Sequence, residues 1–143
     1  TRYEIPGMRP VLFAFDDSLP DNPCAPHNFP QNTIAYTGTH DLNTVRGWFS
    51  REATRQDKKR LFRYLGHRVT VSHVHWAVIR LAMMSVAQLV IFPLQDILGL
   101  DEKARMNLPG RLGGNWQWRF LPESLTPEII QRLREMTELY GRL

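Results

Sequence analysis

The sequence has 143 residues, which limits it to one domain of ordinary size. Its hydrophobic content of 43% makes a buried core feasible and excludes a disordered chain. The net charge is +4, with one dense basic run at Arg55–Arg60. Because no nucleic-acid-reading motif accompanies this run, we interpret it as a solvated helix face and expect no nucleic-acid partner. The single Cys24 excludes an internal disulfide and fits a reducing compartment, so we expect a cytoplasmic location.

Three apolar runs along the chain are predicted to be strands, and each stops at a polar pair. The runs and their polar ends are Pro10–Phe15 before Asp16 and Asp17, Thr33–Thr39 before His40 and Asp41, and Leu89–Leu94 before Gln95 and Asp96. Continuous apolar strands are typical of parallel sheets that helices cover on both faces. The carboxyl ends of such strands are where α/β enzymes build their sites. The sequence therefore predicts the α/β class, with candidate ligand-binding groups at each strand end.

Helical signals alternate with these runs. Asn43 or Thr44 can cap a helix that begins near Val45 and continues past Phe49. A second helix is predicted over Arg55–Leu65, with Gly66 ending it.

Two further helices follow in the second half of the chain. Ser72 is predicted to cap a helix whose apolar positions are Trp76, Ile79, Met83 and Val86. Thr126 and Pro127 begin the last helix, whose apolar face is predicted to comprise Ile129, Ile130, Leu133, Met136 and Tyr140.

The stretch from Trp76 to Leu94 approaches the length of a membrane span, about 20 residues. Arg80, Gln88 and Pro93 interrupt it, so we interpret it as a buried helix leading into a strand and expect no membrane partner.

Two polar segments are candidates for chemistry. A carboxylate such as Asp41 at a strand end can stabilise positive charge in a transition state, and His40 can bond a hydroxyl; an Asp at a helix N-terminus beside a structural His explains the same pair equally well. The loop at 104–119 combines Asn, Gln and Arg with Trp116 and Trp118, a composition suited to sugars, although either Trp can instead anchor the loop.

Other chemistries lack their motifs. There is no Walker A loop, no GxGxxG and no GxSxG sequence, so no cofactor is predicted. His73 and His75 can share a metal only if the segment is extended, because positions i and i+2 of a helix face apart. We therefore expect no metal site. Cys24 beside Pro23 has no evident base.

Several motifs in order resemble one family. They are Tyr36-Thr37-Gly38-Thr39-His40-Asp41, Gly47-Trp48-Phe49, Pro93-Leu94-Gln95-Asp96-Ile97-Leu98-Gly99-Leu100, Ala104-Arg105-Met106-Asn107 with Pro109-Gly110, and Gly114-Asn115-Trp116-Gln117-Trp118-Arg119. Together they resemble the 4-alpha-glucanotransferases, also called amylomaltases or disproportionating enzymes, of glycoside hydrolase family 77. The resemblance runs from about Pro6 to the C-terminus.

The resemblance implies a fold and a reaction. Residues 1–143 would form the C-terminal portion of a (β/α)8 TIM barrel, namely strands six to eight with their helices and loops, since a whole barrel needs about 250 residues. The reaction would be a retaining transfer of alpha-1,4-glucan segments between malto-oligosaccharides, with two carboxylates about 5–5.5 Å apart. The nucleophile and acid/base of the family lie on strands four and five. We therefore expect the isolated chain to be inactive.

The resemblance also assigns residues. Asp41 matches the third carboxylate, which stabilises the transition state, and His40 is its sugar-binding neighbour. The remaining substrate-binding residues that it implies are Asp16, Asn28, Asn107, Pro109 and Gly110. The chain departs from the family at Leu42 and Asn43, where relatives often have Asn and Asp, and at Cys24, where they often have an aromatic residue.

Two alternative functions remain open from the sequence. One is a non-catalytic glucan-binding or interaction module that kept the loops of the barrel. The other is a self-standing hydrolase that pairs Asp16 or Asp17 with Asp41. Three strands of an opened barrel would also leave two unpaired edges, so we expect the isolated chain to self-associate.

Overall fold

The computed structural model describes residues 3–142, which contain a three-stranded parallel sheet. The strands are β1 (Gly7–Pro10), β2 (Thr33–Tyr36) and β3 (Leu89–Ile91), and their order in the sheet is their order in the chain. Gly7 lies opposite Thr33, and Tyr36 lies opposite Ile91. The α/β class and the parallel pairing predicted from the sequence are confirmed.

The first predicted strand is wrong in position. The strand ends at Pro10, and the apolar run Val11–Phe15 forms a 3-10 helix that is mostly buried. The amide of Leu12 donates to the carbonyl of Thr37 at 3.2 Å, and Phe15 packs against Trp48 with ring centroids 5.9 Å apart. Periodicity does not separate a short buried strand from a short buried helix. Asp16 therefore follows a helical turn and not a strand.

The third predicted strand is shorter than expected. β3 ends at Ile91, and Leu94 already belongs to the short helix α4 that follows Pro93. In consequence Asp96 lies inside a helical turn and is 1% exposed, so it does not end a strand as an accessible ligand group.

The helices account for most of the regular structure. They are α1 (Val45–Gly47), a π-helical turn (Trp48–Glu52), α2 (Arg55–Leu65), α3 (Val74–Met83), α4 (Leu94–Ile97) and α5 (Pro127–Leu139), with 3-10 turns at Val11–Phe15, Pro26–Asn28, Glu102–Ala104 and Pro122–Ser124. The predicted start near Val45 and the bounds of α2 are confirmed. Thr54 and Asp57 cap α2 reciprocally, and Gly66 ends it with φ of +78°.

Three details of the predicted helices are wrong. The residue that precedes α3 is His73, and the Ser72 hydroxyl bonds Thr70 and His73 instead of capping the helix. Val86 lies beyond the end of α3 and is 62% exposed. Thr126 and Pro127 do begin α5, but Ile130 is solvent-exposed, because only the other four residues of the predicted apolar face pack against α3.

The core lies on one face of the sheet. Ala35 of β2 is fully buried there with residues of the Val11–Phe15 turn, α2 and α3. On the opposite face Met8, Leu89 and Ile91 are each at least 41% exposed. The expectation that the strands are buried on both faces is therefore wrong for residues 3–142. Within the same range, none of the helices combines the length and the hydropathy that a membrane span requires.

Candidate active site

A pocket of about 190 Å³ lies beyond the carboxyl end of β2. Three segments form its wall: residues 39–44 after β2, the start of α4, and the loop at 105–116. The lining residues are Thr39, His40, Leu42, Asn43, Thr44, Pro93, Gln95, Asp96, Arg105, Met106 and Trp116. The pocket thus joins two of the predicted strand ends with the long loop.

Asp41 lies beside this pocket, between the lining residues His40 and Leu42. Its side chain is 48% exposed, and its Oδ1 atom accepts a hydrogen bond of 2.6 Å from the Asn107 amide. The Nε2 atom of His40 is 3.4 Å from the same oxygen. The backbone amide of Asn107 also donates to the carbonyl of His40 at 3.1 Å. The long loop is therefore tied to the His40–Asp41 turn by both main chain and side chain.

Trp116 forms the aromatic wall of the pocket. Its ring lies 5.0 Å from the His40 ring, and 54% of the residue is exposed. Its backbone has φ of +63°, which is uncommon for a bulky residue, and its amide donates to the Met106 carbonyl at 2.7 Å. Trp118 instead stacks on Phe120. Trp116 is thus the Trp that presents a flat apolar surface beside His40.

Arg105 connects the two segments that carry Asp41 and Asn107. Its guanidinium donates to the carbonyl of Asp41 at 3.0 Å and, more weakly, to the carbonyl of Asn107 at 3.4 Å. A third nitrogen donates to Glu52 at 3.2 Å, and Glu52 also accepts a hydrogen bond of 2.7 Å from the side-chain amide of Asn43. This network is not predicted from the sequence, because Arg105 and Glu52 are 53 positions apart and no local pattern joins them.

Gln95 and Asp96 do not present free groups to the pocket. The Gln95 amide donates to the carbonyl of Ala104 at 3.2 Å. Asp96 accepts from the Thr37 hydroxyl at 2.5 Å and from the Val45 amide at 2.8 Å. Burial raises the pKa of Asp96 to about 6, against the opposing effect of these two hydrogen bonds. The Gln95 side chain thus joins α4 to Ala104, and the Asp96 side chain joins α4 to Thr37, just after β2, and to the start of α1.

Asp16 and Asn28 are placed in a different part of the surface. Asp16 accepts from Ser18 at 2.6 Å and from Asn22 at 2.9 Å, and these hydrogen bonds, led by that from Ser18, lower its pKa. It lines a second pocket with Trp48 and is not among the residues that line the pocket beside Asp41. The Asn28 amide donates to two carbonyls of its own loop.

Pro109 and Gly110 lie in the exposed part of the long loop, where Gly110 adopts φ of +80°. The backbone amide of nearby Leu108 donates a hydrogen bond of 3.0 Å to the Asn115 side chain. This bond holds the loop closed across its glycines.

Within residues 3–142 no three His, Cys, Asp or Glu side chains are grouped to hold a metal ion. His75 lies on α3 and is 6% exposed, with its ring against Gly99. Burial, together with Arg46 and other nearby cations, lowers its pKa to about 4. His73 precedes that helix and bonds Thr70 and Ser72.

Comparison with known proteins gives the family. Residues 1–125 match the family model described as 4-alpha-glucanotransferase, which is most of the chain. The chain belongs to the 4-alpha-glucanotransferase family.

Relatives and solved structures of this family match nearly the whole chain. The 4-alpha-glucanotransferases of Thermus thermophilus and Synechocystis sp. are 47% and 48% identical to it over 99% and 98% of its length. The amylomaltase from Streptococcus agalactiae in complex with acarbose superposes with a TM-score of 0.89 at 37% identity, covering 96% of the chain. The chain spans 29%, 27% and 28% of these three proteins, respectively.

The structure brings together four of the residues that resemblance to the glucanotransferases selects. His40, Asp41, Asn107 and the aromatic wall at Trp116 meet at one place. The catalytic role predicted for Asp41 and the substrate-contact roles predicted for the other site residues all stay predictions; those other residues are His40, Asp16, Asn28, Asn107, Pro109 and Gly110. The hydrogen bonds that link Arg105, Glu52 and Asn43 to the site come only from the structure.

Proposed function

We propose that this chain supplies the transition-state-stabilising carboxylate, Asp41, of a 4-alpha-glucanotransferase that transfers alpha-1,4-glucan segments between malto-oligosaccharides. The observation that carries the proposal is the placement of Asp41. Its side chain is half exposed beside a pocket, its Oδ1 atom accepts a hydrogen bond from Asn107, and the Nε2 atom of His40 lies 3.4 Å from the same oxygen; within residues 3–142 no Lys or Arg forms an ion pair with it. An available negative charge in that place suits a cationic transition state.

The chemistry of a retaining transfer explains the need for this charge. A nucleophilic carboxylate attacks the anomeric carbon, the glycosidic C–O bond breaks, and an acid protonates the leaving oxygen. A sugar hydroxyl then attacks the anomeric carbon and gives its proton to the same group acting as base, while the bond to the nucleophilic carboxylate breaks and frees that carboxylate. Positive charge develops at the anomeric centre in both steps. Asp41 would stabilise that charge, while His40 and Asn107 would bond sugar hydroxyls.

We also propose that residues 1–143 form strands six to eight of the TIM barrel as one unit. The sequential parallel order of β1, β2 and β3 supports this assignment, since neighbouring strands of such a barrel follow one another in the chain. The uncovered sheet face at Met8, Leu89 and Ile91 supports it as well, because the interior of a barrel is packed by the facing strands. For the whole protein we propose a cytoplasmic location.

The proposal is tested in a hybrid enzyme. Residues 1–143 replace the matching 29% of the Thermus thermophilus relative, and the hybrid is assayed for disproportionation of maltotriose. We expect activity in the hybrid and a fall in kcat of about 1,000-fold for Asp41→Asn. Asp21→Asn, which changes an exposed carboxylate outside the pocket, is the matched control. Full activity in the Asp41→Asn hybrid would refute the proposal.

The 143-residue chain alone is a second test. We expect no longer or shorter glucans from maltotriose, because the other two carboxylates of the reaction belong to motifs that this sequence does not contain. The exposed Trp116 ring beside His40 favours retained sugar contact, so weak acarbose binding without turnover is expected. Binding that survives while the hybrid fails would favour the glucan-binding module instead.

A further inference from the structure

We infer that Arg105 is a positioning residue for Asp41 and that Glu52 holds Arg105 in the required orientation. The inference rests on the proposed function, because it concerns how the carboxylate of that same site is held. It assigns a role to two side chains that no recognised motif selects for this purpose, and one of them, Arg105, lines the pocket.

The geometry begins with the exposure of the Asp41 turn. Asp41 itself is half exposed, and a turn on the surface does not hold a side chain to the tolerance that catalysis requires. The side chain of Arg105 is only 19% exposed, and its guanidinium contacts this turn. It bonds the Asp41 carbonyl at 3.0 Å and the Asn107 carbonyl at 3.4 Å. One rigid group therefore fixes both the carboxylate residue and the residue that donates to it.

Arg105 is in turn oriented by the π-helical turn. Glu52 is the last residue of Trp48–Glu52, and its Oε1 atom accepts from Arg105 at 3.2 Å. The same oxygen accepts from the Asn43 amide at 2.7 Å. Asn43 is buried and lies two residues after Asp41, so the network returns to the turn from which it started.

Each of the three guanidinium nitrogens of Arg105 has a protein acceptor. Three of the five N–H donors of the guanidinium are therefore used within the protein, one on each nitrogen. Lysine cannot reproduce the arrangement, because a single ammonium cannot present donors in the same planar fork. The planar fork of Arg105 is thus suited to positioning Asp41.

Kinetics in the hybrid enzyme test the role. For Arg105→Ala we expect kcat to fall about 100-fold with KM within about threefold, since a misplaced catalytic group loses transition-state but not ground-state contacts. Arg105→Lys should recover only part of the loss. Glu52→Gln keeps an acceptor oxygen and should stay within about threefold of the parent in kcat, whereas Glu52→Ala should resemble Arg105→Ala. Arg51→Gln is the control, because Arg51 is exposed and bonds Glu102 instead.

An NMR measurement on the 143-residue chain tests how Asp41 is positioned without relying on enzymatic activity. The Asn107 side-chain amide donates to Asp41 at 2.6 Å, so its NMR resonances report the position of the carboxylate. We expect these resonances to move in Asp41→Ala and in Arg105→Ala, and to stay in place in Arg51→Gln.

The two measurements separate the possible failures. Unchanged Asn107 resonances in Arg105→Ala overturn the inference, whether or not the hybrid folds. Parental kcat in Arg105→Ala, when Asp41→Asn is inactive, also overturns it and leaves the proposed function standing. Activity that survives Asp41→Asn refutes the proposed function itself, and positioning of a catalytic carboxylate by Arg105 is then refuted with it.

Discussion

Asp96 and His75 are two buried groups whose contributions to stability change with pH in opposite directions. Replacing Asp96 by Asn should leave only the contribution of His75. Asp96 is 1% exposed and accepts two hydrogen bonds, but it forms no ion pair with any residue in the range 3–142, so burial raises its pKa to about 6. The difference from the ordinary value of 3.8 corresponds to about 3 kcal/mol. The folded state binds this proton more tightly than the unfolded chain. The contribution of Asp96 to the free energy of unfolding is therefore complete below pH 3.8 and is lost as the pH rises through about 6.

His75 acts in the opposite direction over nearly the same range. Burial and nearby cations lower its pKa from 6.5 to about 4, so its contribution is present above pH 6.5 and is lost as the pH falls through about 4. The size is again about 3 kcal/mol. We expect the two groups to offset one another in the parent chain. In Asp96→Asn, the free energy of unfolding should rise by about 3 kcal/mol between pH 4 and pH 7.

Urea denaturation followed by Trp fluorescence across this pH range measures the effect. Asn keeps an oxygen that accepts from the Val45 amide, so the variant should fold. Asp21→Asn removes an exposed carboxylate and should reproduce the pH profile of the parent. If Asp96→Asn also reproduces that profile, the buried carboxyl does not take up a proton on folding, and the reasoning from burial is wrong.

Three further perturbations test the packing. Arg142 donates to the carbonyls of Met83, Ser85 and Ala87 at 2.5–3.0 Å, so Arg142→Ala should lower the free energy of unfolding by about 2 kcal/mol, measured by urea titration. Gly47→Ala should lower the free energy of unfolding by about 1–3 kcal/mol in the same assay, because the new Cβ would clash with the Asn43 Oδ1 atom. The exposed face and unpaired edges of the sheet should make the 143-residue chain oligomeric, as measured by light scattering. Replacing both Leu89 and Ile91 by Lys should reduce the measured mass. A monomeric parent at high concentration would contradict this expectation.

The parts of the fold that the sequence predicts well are those set by local interactions. Helix α2 has a reciprocal cap at Thr54 and Asp57 and a glycine at its end, and its bounds match the prediction. The run at Val11–Phe15 carries no such signals, and five apolar residues bury equally well as a strand or as a turn of helix. Its conformation follows from tertiary packing against Trp48 and Tyr64, which the sequence does not display.

In the candidate site, too, some residues are predicted from sequence motifs, whereas their burial and long-range contacts are not. Asp41 and Asn107 are selected by family motifs, and the structure joins them. Asp96 has the same residue type as Asp41 and a similar sequence position after an apolar run, yet it is buried and bonds Thr37. Side-chain burial at a strand end depends on what packs above it, so sequence alone does not separate the two carboxylates. The bonds from Arg105 to Glu52 and to Asp41 cross 53 and 64 positions, and no periodic pattern encodes them.

The π-helical turn gives this region an unusual sensitivity to chain length. The Ala53 amide donates to the Trp48 carbonyl at 2.8 Å, one residue further along than in an α-helix. Deleting one residue between them would restore α-helical spacing and rotate everything before the deletion by about 100° relative to everything after it. Glu52 would then point away from Arg105. We therefore expect homologous chains to vary freely in the length of their outer loops while keeping this short segment at a constant number of residues.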